Sequence, residues 1–131
     1  MIDSRISMKD LLGLGAVLVF AFCGTSGCRH EAGPPPPLAA EQIPAEFDRA
    51  FKNAKPEAKD LAERVVASLR SKDYPAAYTL IQVLGSLPGN TVEQQSLTAR
   101  ATLTITGLLQ AAQSQGDEKA ATVLKEYKTY K

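Results

Sequence analysis

From Glu41 onward the apolar residues recur at the spacing of one helix face, and this period limits the fold more than any other feature of the chain. Ile43, Phe47, Ala50, Phe51 and Ala54 fall at i, i+4, i+7, i+8 and i+11, the signature of an amphipathic helix. Ala58, Leu61, Ala62, Val65, Val66 and Leu69 repeat the stripe, with Lys59, Glu63, Arg64 and Arg70 largely off it. Tyr74, Ala77, Leu80, Ile81, Leu84 and Leu87 form a third stripe. Leu97, Ala101, Ile105, Leu108 and Ala112 form a fourth, and Ala120, Val123, Leu124 and Tyr127 a fifth. Alternation with period 2 is confined to Leu103-Thr104-Ile105-Thr106, which sits between good helix formers.

The punctuation between the stripes agrees with the period. Pro44 fits a first helical turn, and Lys55-Pro56 separates the first two helices, because the residue before proline avoids the helical region. Asp73 can cap the third helix, with Pro75 in its first turn. Pro88-Gly89-Asn90 stops that helix. Thr91 with Gln94 three residues on is a capping-box pattern. Gly116 suits the left-handed position that closes the fourth helix, and Asp117 caps the fifth. The expectation is an all-α fold, a small antiparallel bundle of about five helices spanning residues 41–131.

Composition narrows the function classes. Of 131 residues, 15 are basic and 14 acidic, a net charge of +1. Phosphate binding needs a concentrated positive surface, so nucleic acid is not an expected partner. Trp is absent, which leaves few rings for stacking bases or sugars. Both cysteines, Cys23 and Cys28, lie in the first thirty residues, so no disulfide framework can hold the helical part.

Those first thirty residues read as an address. Arg5 and Lys9 precede the apolar run Leu11–Phe22, which falls well short of the roughly 20 residues that cross a hydrocarbon core and matches the apolar region of a signal peptide. Gly24-Thr25-Ser26-Gly27-Cys28 follows. This segment resembles the lipobox of bacterial lipoproteins, with Gly27 as the small residue before the modified cysteine. The resemblance implies removal of residues 1–27 and a diacylglycerol on the Cys28 thiol. Two or three acyl chains then hold the chain to a membrane where one would be marginal. The competing readings are an uncleaved anchor, a plain secretory cut near Gly27, and a Cys28–His30 metal pair, which lacks further ligands.

Residues 28–40 read as a lipidated cysteine and linker. Pro34-Pro35-Pro36-Pro37 favours extended polyproline II; a spacer accounts for it better than a ligand for an SH3-like groove, since no second motif accompanies it. Within the helical part the turn at Lys72-Asp73-Tyr74 has an echo at Gly116-Asp117-Glu118, with Asp117 44 residues after Asp73. Asp73-Tyr74, Ala77 and Pro88 resemble positions of a degenerate tetratricopeptide repeat, although Lys72 stands where that family has glycine and the spacing exceeds 34 residues. The resemblance implies helical hairpins rather than a true repeat array.

Catalytic constellations are missing from the sequence. The lone histidine, His30, lies in the linker, so a Ser-His-Asp arrangement cannot form in the helical part. Glu57, Asp60 and Glu63 are interspersed with Lys59 and Arg64, as on a solvated, charge-paired face. No glycine-rich phosphate loop, cofactor motif or small-molecule site is evident. Phe47, Phe51, Tyr74 and Tyr78 suit core packing, and Tyr74 and Tyr78 are candidates for a protein-binding surface if left partly exposed. The tail Lys125–Lys131 ends in Tyr130-Lys131, which resembles the murein lipoprotein of enteric bacteria; that resemblance implies Lys131 as a peptidoglycan attachment point. Arg29 rather than Asp after the modified cysteine implies, by the enteric sorting scheme, an outer-membrane lipoprotein facing the periplasm. The expectation is a non-catalytic, lipid-anchored envelope protein that binds another envelope protein. The alternative is a tether joined to peptidoglycan through Lys131.

Overall fold

The computed structural model describes residue 33 and residues 35–129. The signal-like segment, Cys28 and Lys131 lie outside the described residues. Five α-helices follow a single 3-10 turn at Ala40–Gln42: α1 Ile43–Phe51, α2 Pro56–Arg70, α3 Tyr74–Ser86, α4 Val92–Ser114 and α5 Glu118–Thr129. Among the described residues there is no strand, and Leu103 to Thr106 are helical. The fold is the small all-helical bundle that the apolar period predicts. Each helix packs on the next, α1 also lies against α4, and α5 also lies against α3.

Local chemistry explains where the helices stop. Lys55 is extended (φ −56°, ψ 148°) ahead of Pro56, as its position before proline requires. α1 ends at Phe51, short of Ala54, whose N–H donates to the Phe51 carbonyl at 3.1 Å. Leu87 is likewise extended (φ −66°, ψ 132°) before Pro88, so it ends α3 instead of lying on its stripe. The Asn90 amide donates to the Leu84 carbonyl at 2.7 Å, satisfying one of the orphan acceptors of that helix end.

The turns α2–α3 and α4–α5 share one construction. The Asp73 N–H donates to the Ser68 carbonyl and the Lys72 N–H to that of Leu69. The Asp117 N–H donates to the Ala112 carbonyl and the Gly116 N–H to that of Gln113. Both are Schellman closures. In each, the aspartate then caps the next helix. Asp73 accepts from the Ala76 N–H at 3.1 Å, and Asp117 from those of Lys119 and Ala120 at 2.9 and 3.0 Å. The residue bent into the left-handed region is Lys72 (φ 59°) in one turn and Gly116 (φ 93°) in the other.

The core runs through all five helices. Phe47, Phe51, Ile43, Ile81, Leu84, Ile105, Leu109 and Val65 are its largest fully buried side chains. On α4 the fourth stripe continues in steps of four through Leu97, Ala101 and Ile105 to Leu109; Leu108, expected in that place, is only half-buried. Leu38 belongs to the core at 5% exposure although the sequence places it in the linker. The Thr104 hydroxyl donates to its carbonyl, and the Arg100 guanidinium donates to the Pro36 carbonyl at 2.9 Å. The folded unit therefore starts ahead of Glu41, and the end of the proline run lies along α4.

Candidate functional site

The two tyrosines expected to share a binding surface stand one turn apart on α3 and differ in burial. Tyr78 is 7% exposed, and its ring meets Tyr127 of α5 edge-on at 6.0 Å. Burial, and next to it the neighbouring Tyr127, pushes its phenol above the usual value of 10.0. Tyr78 thus packs between α3 and α5 and offers almost no surface to a partner. Tyr74 is half-buried at the start of α3, beside Leu69, Pro44 and Leu108. Cys28 and Lys131 fall outside the described residues. Among the described residues no group of three or more His, Cys, Asp or Glu is placed to hold a metal ion, and no helix is long and apolar enough to cross a membrane.

A different surface stands out once the helices are in place. Between Tyr74 and Gly116 the sequence carries only two charged residues, Glu93 and Arg100. Both are engaged at the margins. Glu93 lies 3.7 Å from Arg49 of α1, and Arg100 reaches the Pro36 carbonyl. The outer face of α3 and α4 is therefore uncharged. The outer face of α2, by contrast, carries Lys59, Asp60, Glu63 and Arg64, all exposed. The signal was visible in the sequence as a long interval without charge, but only the fold shows that α3 and α4 lie side by side.

A groove of about 550 Å³ runs between these two helices, lined by Ile81, Gln82, Gly85, Ser86, Gln95, Thr98, Ala99 and Thr102. Its floor is tight, because a Cβ on Gly85 would come within 3.3 Å of the Thr98 methyl. The Thr98 hydroxyl is buried there without a hydrogen-bond partner. Two large apolar side chains stand out on the same pair of helices, Val83 on α3 at 44% exposure and Leu103 on α4 at 50%. The groove's lining residues include the hydroxyls of Ser86, Thr98 and Thr102 and carry no charged side chain. The lining offers neutral hydrogen-bonding groups and small residues, and depletion of charge is a feature of the centres of protein interfaces.

Gln94 anchors the start of this face. Its side-chain oxygen accepts from the Thr91 N–H at 2.9 Å, and its own N–H donates to the Thr91 hydroxyl at 3.2 Å, completing the capping box. Its amide nitrogen then donates to the Ala50 carbonyl in the last turn of α1 at 2.9 Å. One buried side chain caps α4 and ties it to α1. Compared with protein-family models, with curated proteins and with solved structures, the chain matches none.

Proposed function

We propose that the chain is a non-catalytic lipoprotein of the bacterial envelope, held by lipid at Cys28, whose helical domain offers the α3–α4 face to another protein. The distribution of charge carries this reading. An exposed face without charge is unusual on a small domain, and a depletion of charge is what marks the centre of a protein interface. The lipobox-like segment Gly24 to Cys28 supports the anchor. The seating of Pro36 and Leu38 on α4 supports a fixed exit for the anchored end of the chain.

Two measurements test the two halves of the proposal. Cells fed a palmitate analogue should label the wild type and leave Cys28→Ala unlabelled; equal labelling refutes the anchor. A photo-crosslinking residue placed at Gln82 should give protein adducts in the envelope, while the same residue at Lys59 on the charged face should not. Equal yields from the two positions refute the face.

A further inference from the structure

We infer that the bundle stands end-on upon an anionic phospholipid surface, on the end formed by the α1–α2 and α3–α4 turns and by Val92 at the start of α4. The inference goes beyond the choice of protein partner and rests on the anchor at Cys28. The linker sets the direction. The Thr104 hydroxyl holds the Leu38 carbonyl and the Arg100 guanidinium holds that of Pro36, so two residues of linker pass one turn of α4 on the way back toward Cys28. The linker therefore leaves along α4 toward the start of that helix. The two turns meet at this end. A Cβ on Gly89 would lie 3.0 Å from the Lys55 Nζ, and Asn53 and Lys55 line one cavity with Pro88, Asn90 and Thr91.

Reach sets the distance. Val92 lies eight residues before Arg100 on α4, about 12 Å at 1.5 Å per residue. Eight residues also separate Cys28 from Pro36, and fully extended they span at most about 28 Å. Once the linker has passed the start of α4, only about 16 Å of it is left. Chemistry agrees with direction. The two turns, residues 52–55 and 87–91, hold Lys52 and Lys55 and no acidic residue. Both lysines are exposed. Of the acids close by, Glu93 faces Arg49 at 3.7 Å, while Asp48 and Glu57 belong to α1 and α2 rather than to the turns. At the opposite end, residues 71–73 and 115–117 carry Lys72 against Asp73 and Asp117. Val92 is 83% exposed, more than any other large apolar side chain described, and Pro88 in the adjoining turn is exposed as well. Cations around an exposed apolar side chain suit an anionic headgroup layer, where each lysine is worth about fivefold in affinity. This stance leaves the α3–α4 face upright and open to a protein.

The test uses the full chain, isolated from cells and reconstituted into vesicles of phosphatidylcholine with about a third phosphatidylglycerol. A diazirine-bearing residue replaces Val92 in one sample, Gln115 at the far end of α4 in a second, and Gln82 on the α3–α4 face in a third. All three sites are exposed. The Val92 position should give phospholipid adducts at least tenfold more often than the Gln115 position. Lys52→Gln combined with Lys55→Gln should lower the Val92 yield at least fivefold with helical circular dichroism unchanged, and so should vesicles of phosphatidylcholine alone. Equal yields at Val92 and Gln115 overturn the inference, as does a Val92 yield indifferent to the lysines and to lipid charge. A higher yield at Gln82 overturns it too, because the bundle would then lie on its side. A chain that fails to float with the vesicles refutes the anchor and the inference together, whereas one that floats without Val92 adducts refutes the inference alone.

Discussion

The hairpins α2–α3 and α4–α5 close with the same hydrogen bonds and the same capping aspartate, yet they are unequal in what they bury. α3 contributes Ala77, Tyr78, Ile81 and Leu84 to the core, whereas α5 contributes only Ala120 and Leu124. The difference shows that turn chemistry sets where a hairpin reverses and leaves open how firmly its second helix is held. Firmness comes from the neighbours. α3 is packed by α2, α4 and α5, while α5 rests on α3 and α4 alone. The largest expected effect follows directly. Leu84→Ala removes a side chain with no exposure and should cost about 4 kcal/mol, near the upper part of the range for buried leucine. Leu124→Ala, at 5% exposure on a helix with room to shift, should cost about 2 kcal/mol. Urea unfolding of both variants checks the ratio, and equal costs would erase the distinction between the hairpins.

Much of this architecture was legible, because its signals are local. Asp73, Thr91 with Gln94, and Asp117 cap helices through bonds to backbone groups two or three residues away, and each stands where the sequence puts it. The unread features depend on residues far apart in the chain. Leu38 looked like linker because what buries it is α4, reached through a bond to Thr104, 66 residues on. Gln94 was readable as a cap but not as the donor to Ala50, 44 residues earlier. Tyr78 could have gone to core or surface, and α5 decides for the core through Tyr127. The uncharged face required knowing that α3 and α4 are neighbours, which a list of charges does not supply.

The second expected effect concerns Gln94, which joins the start of the second hairpin to α1. Gln94→Leu keeps the bulk and removes both side-chain bonds, leaving the Thr91 N–H and the Ala50 carbonyl without them. The loss should be about 2 kcal/mol, the cost of stranding partly buried polar groups. Gln94→Glu retains the acceptor for the Thr91 N–H and loses only the donor to Ala50, while adding a charge in a site 7% exposed. It should recover none of the loss at neutral pH. Full stability in Gln94→Leu, read by thermal melting, would show that α1 is held by apolar packing alone.

A smaller effect separates the two turns themselves. Lys72 holds a left-handed conformation that costs an L-residue roughly 1–2 kcal/mol, partly offset because glycine loses more freedom on folding. Lys72→Gly should therefore stabilise by about 0.5 to 1 kcal/mol, raising the melting temperature by about 2–8 °C for a domain of this size. Gly116→Ala should do the reverse by a similar amount. Nothing lies within 4 Å of the Cβ it would gain, so the penalty is conformational and not steric. Opposite signs at matched positions are the expected outcome. A destabilised Lys72→Gly would mean that the lysine side chain contributes more than its backbone costs.

The smallest effect lies where the hairpins meet. Tyr78 of α3 touches Tyr127 of α5, and burial holds its phenol above the 10.0 of an exposed tyrosine. Above about pH 10 the unfolded chain ionises Tyr78 while the folded chain keeps it protonated. The folded state then binds more protons than the unfolded state, so stability falls as pH rises. The contribution is fully present below pH 10 and is lost on the way up to the folded pKa. Tyr78→Phe cannot ionise and lacks this loss. Other groups titrate in the same range, so the quantity to follow is the stability of the wild type minus that of Tyr78→Phe, measured by urea unfolding from pH 8 to pH 11. It should be level to about pH 10 and then decline. Tyr127→Leu should reduce the decline without abolishing it, since burial is the larger cause and the neighbouring phenol the smaller. A difference that stays level to pH 11 would mean that α5 moves away from Tyr78 readily enough for water to reach its phenol, and the second hairpin would then be looser still than its two buried residues imply.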